Sequence, residues 1–135
     1  MRYARLLDVE FIDGDYDHDI WRKKISGLET EPERGLRCMQ CFRLRLGATA
    51  VIASEKGFPV ITTTLAGSRW KDFQQITEAG NMAASLVEDV VYWDKDWKKG
   101  GLTERRRILL KENNFYNQQY CGCEFSMRPD LSGIL

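Results

Sequence analysis

Residues 37–63, RCMQCFRLRLGATAVIASEKGFPVITT, decide the fold class of this chain. Within residues 37–56, apolar side chains recur at spacings of three and four, which predicts an amphipathic helix. Gly57 stands where the glycine after a helix is expected. Residues 58–63 are apolar and β-branched, which predicts a buried strand. A long helix that leads into a buried strand is typical of an α/β domain.

Before this stretch, the pattern predicts three short elements. Residues 2–7 look helical, and the apolar residues 9–12 predict a strand that stops at the turn Asp13-Gly14-Asp15. Asp17 is placed to cap a short helix that ends at Gly27.

After this stretch, helices and strands alternate. Residues 71–78 predict a helix stopped by Gly80, residues 81–88 a second helix, and residues 90–93 a third strand. Thr103 is placed to cap a last helix. We therefore expect a single α/β domain over residues 1–135, with a small parallel sheet, flanking helices and an irregular C-terminal tail that carries two cysteines.

Charge and hydropathy exclude few functions. Twenty basic residues balance twenty acidic ones, so the net charge of +0 argues neither for nor against a polyanionic partner. No apolar run approaches the roughly 20 residues that a membrane helix needs, and no signal-peptide segment follows Met1. We expect a cytoplasmic protein with no membrane partner.

The four cysteines form two close pairs, Cys38 with Cys41 and Cys121 with Cys123. The first pair has the two-residue spacing that turns both sulfurs toward one metal, and it begins the predicted helix, whose positive end favours thiolates. Gly122 permits the turn that brings the second pair together. Four thiolates suit one zinc ion or one [4Fe–4S] cluster, and spacing alone leaves zinc, a cluster and unliganded thiols open.

Five blocks of the chain, in order and over nearly its whole length, form a composite motif: Asp15-Tyr16-Asp17 with Trp21 and Glu31-Pro32-Glu33, then residues 35–46 with Thr49-Ala50, then Thr62 to Leu65 with Ser68, Lys71 and Ile76, then residues 96–101, and finally Tyr116, Gln118, residues 120–123 and Ser126. Together these blocks resemble the QueH-type epoxyqueuosine reductases. This resemblance implies a nucleotide-hydrolase-like fold. It also implies a [4Fe–4S] enzyme with an additional iron that reduces epoxyqueuosine in the tRNA anticodon loop to queuosine, with an electron donor as partner.

The resemblance also assigns residues to the site. Cys38, Cys41, Cys121 and Cys123 are the expected metal ligands, and Asp96 and Tyr120 are candidate catalytic groups. Candidate substrate-binding residues are Thr64, Ser68, Lys71, Lys98, Lys99 and Gln118. Arg105 to Arg107 are expected to form a solvated helix face, and His18 a surface position rather than a ligand.

Two departures from the QueH pattern affect the expected activity. The chain has no adjacent cysteine pair and no N-terminal strand before it, and Asn117 replaces an expected arginine. We expect weak or absent reductase activity from this chain alone, and a separate chain that supplies the absent N-terminal segment is a candidate partner. The alternative is a non-enzymatic four-cysteine zinc domain with a structural or RNA-binding role.

Overall fold

The computed structural model describes residues 2–14, 18–68, 71–116 and 123–126. In chain order the elements are α1 (Arg2–Leu6), α2 (His18–Lys24), α3 (Leu36–Lys56), β1 (Val60–Ile61), a 3-10 helix (Thr64–Gly67), α4 (Phe73–Ser85), β2 (Val91–Tyr92), α5 (Leu102–Glu112) and a second 3-10 helix (Glu124–Ser126). The two strands pair in parallel, with Val60 opposite Val91 and Ile61 opposite Tyr92. The predicted α/β class with a small parallel sheet and flanking helices is confirmed.

The core forms where α3 and α4 pack against each other and against one face of the sheet. Helix α3 buries one stripe at the spacing that its sequence predicts, including Phe42, Leu46 and Ala50. Helix α4 buries Ile76 together with a row of small residues. Because α3 leads into β1, and α4 connects β1 to β2, both helices run antiparallel to the strands.

The beginning and end of α3 agree with the sequence prediction. The helix ends at Gly57, which adopts a left-handed φ of 76° and donates its N–H to the carbonyls of the last turn. Its beginning, at Leu36, has Gly35 as N-cap, with no side chain capping the first turn. The N-terminal N–H groups of α3 therefore have no capping side chain beside the first cysteine pair.

Three predictions are wrong: a strand, a helix stop and a helix cap. Each has a physical reason. Residues 9–12 form exposed irregular backbone instead of a strand, because the two-stranded sheet of the described residues offers them no partner. Gly80 does not stop a helix: α4 continues through it, and Gly80 is buried against Tyr92. Thr103 does not cap α5, because Gly101 takes that position with a φ of 79°, and the Thr103 hydroxyl donates to the carbonyl of Lys98. Asp17, the predicted cap of α2, lies outside the described residues.

No helix among the described ranges is both long and apolar enough to cross a membrane.

Candidate functional site

The parallel sheet places several candidate residues at one edge. The loops that follow β1 and β2 both leave from the carboxyl ends of the strands, and α3 and α4 both begin at that same edge. In open α/β sheets, ligands bind outside the carboxyl ends of the strands. Three candidate segments therefore begin or end at the edge where a ligand is expected. They are the start of α3 with the first cysteine pair, the loop after β1 with residues 62–65, and the loop after β2 with residues 96–101.

The first cysteine pair occupies the first two turns of α3. Cys38 and Cys41 are three residues apart, a spacing that puts two side chains on the same face of a helix, and both are half-buried. The backbone N–H of Arg34 donates to the Sγ of Cys38 over 3.3 Å. The two thiols thus share a face at the helix start, and the loop before the helix closes over one of them.

Arg37 fixes that loop. Its side chain is only 2% exposed, and its Nη1 donates to the carbonyl oxygens of Leu28, Glu29 and Glu31 at 3.3, 3.1 and 2.6 Å. A buried guanidinium is tolerated only when it is hydrogen-bonded in this way. Arg37 therefore fastens the segment before α3 next to the cysteine pair.

Gln75 fastens the same segment from α4. Its Nε2 donates to the carbonyls of Arg34 and Gly35, at 3.0 Å each. Asp72 caps α4 by accepting from the N–H groups of Gln74 and Gln75. The beginnings of α3 and α4 are consequently joined at the candidate site.

The segment that carries Cys123 also docks near the beginning of α3. The Glu124 carboxylate accepts two hydrogen bonds from Arg22, at 3.1 and 2.8 Å, and lies 3.0 Å from Nε2 of His18. Hydrogen bonding from Arg22 is the main reason why the pKa of Glu124 lies below its usual range. We call the contact set formed by Trp21, Arg22 and Arg37 with Glu124 and Phe125 the tail clamp.

Phe125 makes the aromatic contacts of the tail clamp. Its ring stacks on Trp21 with centroids 6.1 Å apart, and the guanidinium carbons of Arg37 and Arg22 lie 5.4 and 5.8 Å from its centroid. Arg37 directly precedes Cys38, and Phe125 follows Cys123 by two residues. The tail clamp therefore brings the segment that carries Cys123 to the helix that carries the first cysteine pair.

The donor set fits a thiolate-bound metal in chemistry. Cys38, Cys41 and Cys123 are half-buried, and soft sulfur ligands suit zinc or iron–sulfur centres. Within the described residues, no three His, Cys, Asp or Glu side chains come close enough together to hold one metal ion. Cys121 lies outside the described residues, and so do Tyr120 and Gln118.

The loops after the two strands are joined to each other. The Thr62 hydroxyl donates to the carbonyl of Trp93 over 3.1 Å, and the Lys98 ammonium donates to the carbonyl of Ala66 over 3.0 Å. Lys98 also lies 3.1 Å from Oδ1 of Asp96 and 5.3 Å from the centroid of the Phe73 ring. Asp96 and Lys98 thus hold the second loop against the first.

Asp96 is an ionised group in this arrangement. The backbone N–H of Lys98 donates to its Oδ1 over 3.0 Å and is the main reason why the pKa of Asp96 lies below its usual range, with the Lys98 ammonium adding to the effect. A carboxylate held in this form accepts hydrogen bonds at neutral pH. This geometry favours a positioning role for Asp96 over the role of an acid.

The remaining candidates of this edge are accessible. Thr64 and Lys99 are exposed, and Ser68 and Lys71 are half-buried, with Lys71 directly before the capping residue of α4. These residues surround the joined loops without forming part of the core.

Comparison with known proteins gives the family. A family model described as "Epoxyqueuosine reductase QueH" matches residues 1–129. The chain belongs to the QueH family. It is 48% identical over 128 residues to the epoxyqueuosine reductase QueH of Histophilus somni (strain 129Pt), and 45% and 44% identical to those of Haemophilus influenzae and Acinetobacter baylyi. The predicted resemblance is confirmed.

These QueH relatives are longer than the chain. Each alignment covers 95% of the chain but only 53%, 52% and 59% of the respective relative. The chain therefore spans about half the length of the curated QueH proteins that it matches.

Several residues that shape this QueH site were not predicted as site residues. Gln75, Arg22, Glu124 and Phe125 are ordinary polar and aromatic positions in the sequence, and Arg22 and Glu124 are 102 residues apart. No periodicity links positions at that separation. Trp21 and Arg37 belong to the QueH-like blocks, which was the only indication of their importance.

Proposed function

We propose that this chain forms the part of a QueH-type reductase that carries the four-cysteine metal site, and that it takes part in converting epoxyqueuosine in tRNA to queuosine. The relatives named epoxyqueuosine reductase, at up to 48% identity, support this proposal. The observation that carries it is the docking of the Cys123 segment, through Phe125 and Arg37, at the helix start that bears Cys38 and Cys41.

We assign Cys38, Cys41, Cys121 and Cys123 as the ligands of a [4Fe–4S] cluster, with an additional iron nearby. Such a cluster supplies electrons one at a time. Removing an epoxide oxygen as water consumes two electrons and two protons, so the site also needs an electron donor and a proton source. Thiols of this kind remain reduced in the cytoplasm, which is the compartment that we propose.

The chain's own residues hold the site and its substrate. Arg37 and Gln75 keep the loop before α3 in place beside Cys38, and the Asp96–Lys98 pair keeps the two loops of the carboxyl edge together. We propose that Thr64, Ser68, Lys71 and Lys99, which surround these loops, contact the anticodon loop, together with Gln118. The two lysines would meet phosphates, which dominate the affinity of proteins for nucleic acids.

For the proton, we propose different roles for the two catalytic candidates. Asp96 is ionised at neutral pH and already accepts hydrogen bonds from Lys98, so we propose that it positions the loop. Tyr120 remains the proposed donor, because a phenol is protonated at neutral pH.

The test combines metal analysis with a conversion assay. Protein purified without oxygen is analysed for iron, sulfide and zinc, and is then incubated with a strong chemical reductant and tRNA that contains epoxyqueuosine. We expect about four sulfide and about four iron per chain for the [4Fe–4S] cluster, and about one further iron for the additional site. We also expect queuosine formation that is slower than with the full-length Histophilus somni relative.

The matched controls are Cys41→Ser and Ser54→Ala. Ser54 lies on the same helix but its hydroxyl donates to the carbonyl of Glu88, near the opposite end of α3. Cys41→Ser should lose iron, sulfide and conversion together, whereas Ser54→Ala should keep them. Zinc without sulfide, combined with no queuosine above the Cys41→Ser background, would overturn the proposal.

A further inference from the structure

The tail clamp joins two parts of the chain that are about a hundred residues apart. On one side stand α2 and the first turn of α3, with Trp21, Arg22 and Arg37. On the other stands the short helix Glu124–Ser126, whose Glu124 and Phe125 provide the contacts. None of these contacts belongs to the hydrophobic core between α3, α4 and the sheet.

The positions of the tail clamp residues in the sequence connect the tail clamp to the cysteines. Its residues flank the cysteines: Arg37 precedes Cys38, and Phe125 follows Cys123 by two residues. The Arg37 guanidinium is itself held in place, because its Nη1 donates to three carbonyls of the loop before α3. A ring that packs on this guanidinium therefore has a fixed place relative to the first cysteine pair.

We propose that the tail clamp positions Cys123 for metal binding, so that the affinity of the thiolate site for its metal depends on the docking of Phe125 and Glu124. This inference rests on the proposed function only through the assignment of the four cysteines as ligands. The tail clamp residues are positioning residues, because they act through the cysteines and touch neither metal nor substrate.

The physical reason is the effective concentration of the second thiol pair. A tail tethered only through the chain spends most of its time away from the first pair, and ordering it opposes metal binding. Docking through the tail clamp removes most of that cost before the metal arrives. The coupling is reciprocal, so bound metal must in turn hold the tail on α2.

The Phe125 ring and the Arg22–Glu124 ion pair contribute differently to the docking of the tail. The ion pair between Arg22 and Glu124 is exposed, and a solvated pair contributes little alone even when it is bidentate. Phe125 contacts Trp21 and two guanidinium groups at once, so its ring carries most of the docking. Replacing the ring should therefore have a larger effect than breaking the ion pair.

The experiment is a Co²⁺ titration of the metal-free, reduced full chain, followed by the absorption bands of cobalt bound to thiolates. Phe125→Ala is compared with Phe125→Trp, which keeps a ring, and with Phe115→Ala. Phe115 is a matched control because its ring packs on Tyr3, 5.0 Å away, and not on the tail clamp. We expect Phe125→Ala to weaken Co²⁺ binding by about tenfold or more, as outer-shell changes do, and both other variants to bind like the wild type.

A charge exchange provides a second arm that leaves the Phe125 ring in place. Arg22→Glu and Glu124→Arg should each weaken Co²⁺ binding by about two- to fivefold, the range of an exposed pair. The double variant should recover the affinity. Urea denaturation of the metal-free protein should still show a cooperative unfolding transition in the tail clamp variants, because the tail clamp lies outside the core.

The results discriminate clearly. Equal Co²⁺ affinity in wild type and Phe125→Ala, or a double exchange no better than its single variants, would overturn the positioning role. A wild-type chain that gives no cobalt–thiolate band would overturn it too, because there would be no metal site to position. None of these measurements contains tRNA, so the reductase proposal is decided separately by iron, sulfide and queuosine formation.

Discussion

Arg37 shows how a single charged side chain can shape a site from within. Its guanidinium is buried, and burying an unpaired charge is strongly unfavourable. Nη1 is satisfied by three carbonyls of one loop, while Nε has no partner among the described residues. The Arg37 guanidinium and the carbonyls of this loop therefore stabilise each other.

Replacing Arg37 with methionine should therefore destabilise the fold. The substitution fills a similar volume but leaves the carbonyls of Leu28, Glu29 and Glu31 without their donor, which costs about 2–4 kcal/mol of unfolding free energy. Urea denaturation measures the change. Arg43→Met, at an exposed position of the same helix, is the control and should change stability by less than about 0.5 kcal/mol. Equal effects at the two positions would contradict the role of Arg37.

Asp96 should give the stability a characteristic pH dependence. Its pKa is lowered in the folded chain by the backbone N–H and ammonium of Lys98, so the folded state binds a proton more weakly than the unfolded state. Its contribution is fully present above the unfolded pKa of about 4 and is lost as the pH falls through the lower folded value.

The test of this pH dependence is to melt wild type and Asp96→Asn across the acidic range. Wild type should be the more stable above about pH 5, and the difference should shrink on acidification below about pH 4. The control is Asp94→Asn, which removes an exposed carboxylate of the same loop. A constant difference at all pH values would mean that the Asp96 carboxylate is not stabilised as described.

At the scale of the elements, α4 depends on small residues for its close approach to the sheet. Ala79, Gly80, Ala83 and Ala84 are all buried on this helix. A Cβ on Gly80 would lie 2.6 Å from three ring atoms of Tyr92, closer than such atoms can approach. The glycine is therefore a packing requirement, although glycine ordinarily weakens a helix.

Two glycine-to-alanine substitutions test this directly. Gly80→Ala should lower the unfolding free energy by about 1–3 kcal/mol, because Tyr92 or the helix must move. Gly47→Ala, in the middle of α3 with nothing within 4 Å of the added Cβ, should raise it by about 0.5–1 kcal/mol through helix propensity. Two stabilising substitutions would show that α4 can shift away from the sheet at little cost.

The sequence predicts those elements whose stability is local. Helix α3 and its final Gly57 follow from periodicity and glycine geometry, and both strands of the described sheet lie inside the predicted apolar runs. Residues 9–12 have a strand-like composition but no partner strand among the described residues. Gly80 is of the residue type that commonly ends a helix, but it is buried within α4. Tertiary packing overrode the local preference in both cases.

The site was predictable to a similar extent. The cysteine pairs and the two loops stand out as motifs, but their meeting at one edge follows from the parallel sheet. The tail clamp could not be predicted, since it depends on which side chains meet after folding across more than a hundred residues. Long-range contacts of this kind leave no trace in periodicity or spacing.

At the scale of the whole molecule, the residues that the structure describes cover only one face of the sheet. Ile61 and Val90 point into the core, whereas Val60 and Val91 stand opposite each other at 49% and 61% exposure, with Trp93 exposed beside them. Exposed apolar strand faces promote association between chains. With a net charge of +0, the chain also has little electrostatic repulsion to oppose it.

We therefore expect concentration-dependent self-association near neutral pH. Replacing both Val60 and Val91 with lysine should reduce it, because the variant adds charge and removes the apolar pair, while the core is untouched. Sedimentation velocity over a range of concentrations measures the effect. Val51→Lys combined with Ile52→Lys, at two exposed positions of α3, adds the same charge without altering the sheet and should have a smaller effect. Equal improvement by both variants would assign the association to net charge alone.

Because α3 and α4 point in the same direction, this molecule of zero net charge has a positive and a negative end. Two parallel peptide dipoles place partial positive charge at the end that bears Cys38 and Lys71, and partial negative charge at the other end. A distant polyanion exerts little net pull on such a body, but it does exert a torque. A polyanion would thus approach with the cysteine-bearing end leading, and salt at about 0.1 M would screen this alignment beyond about 10 Å from the surface.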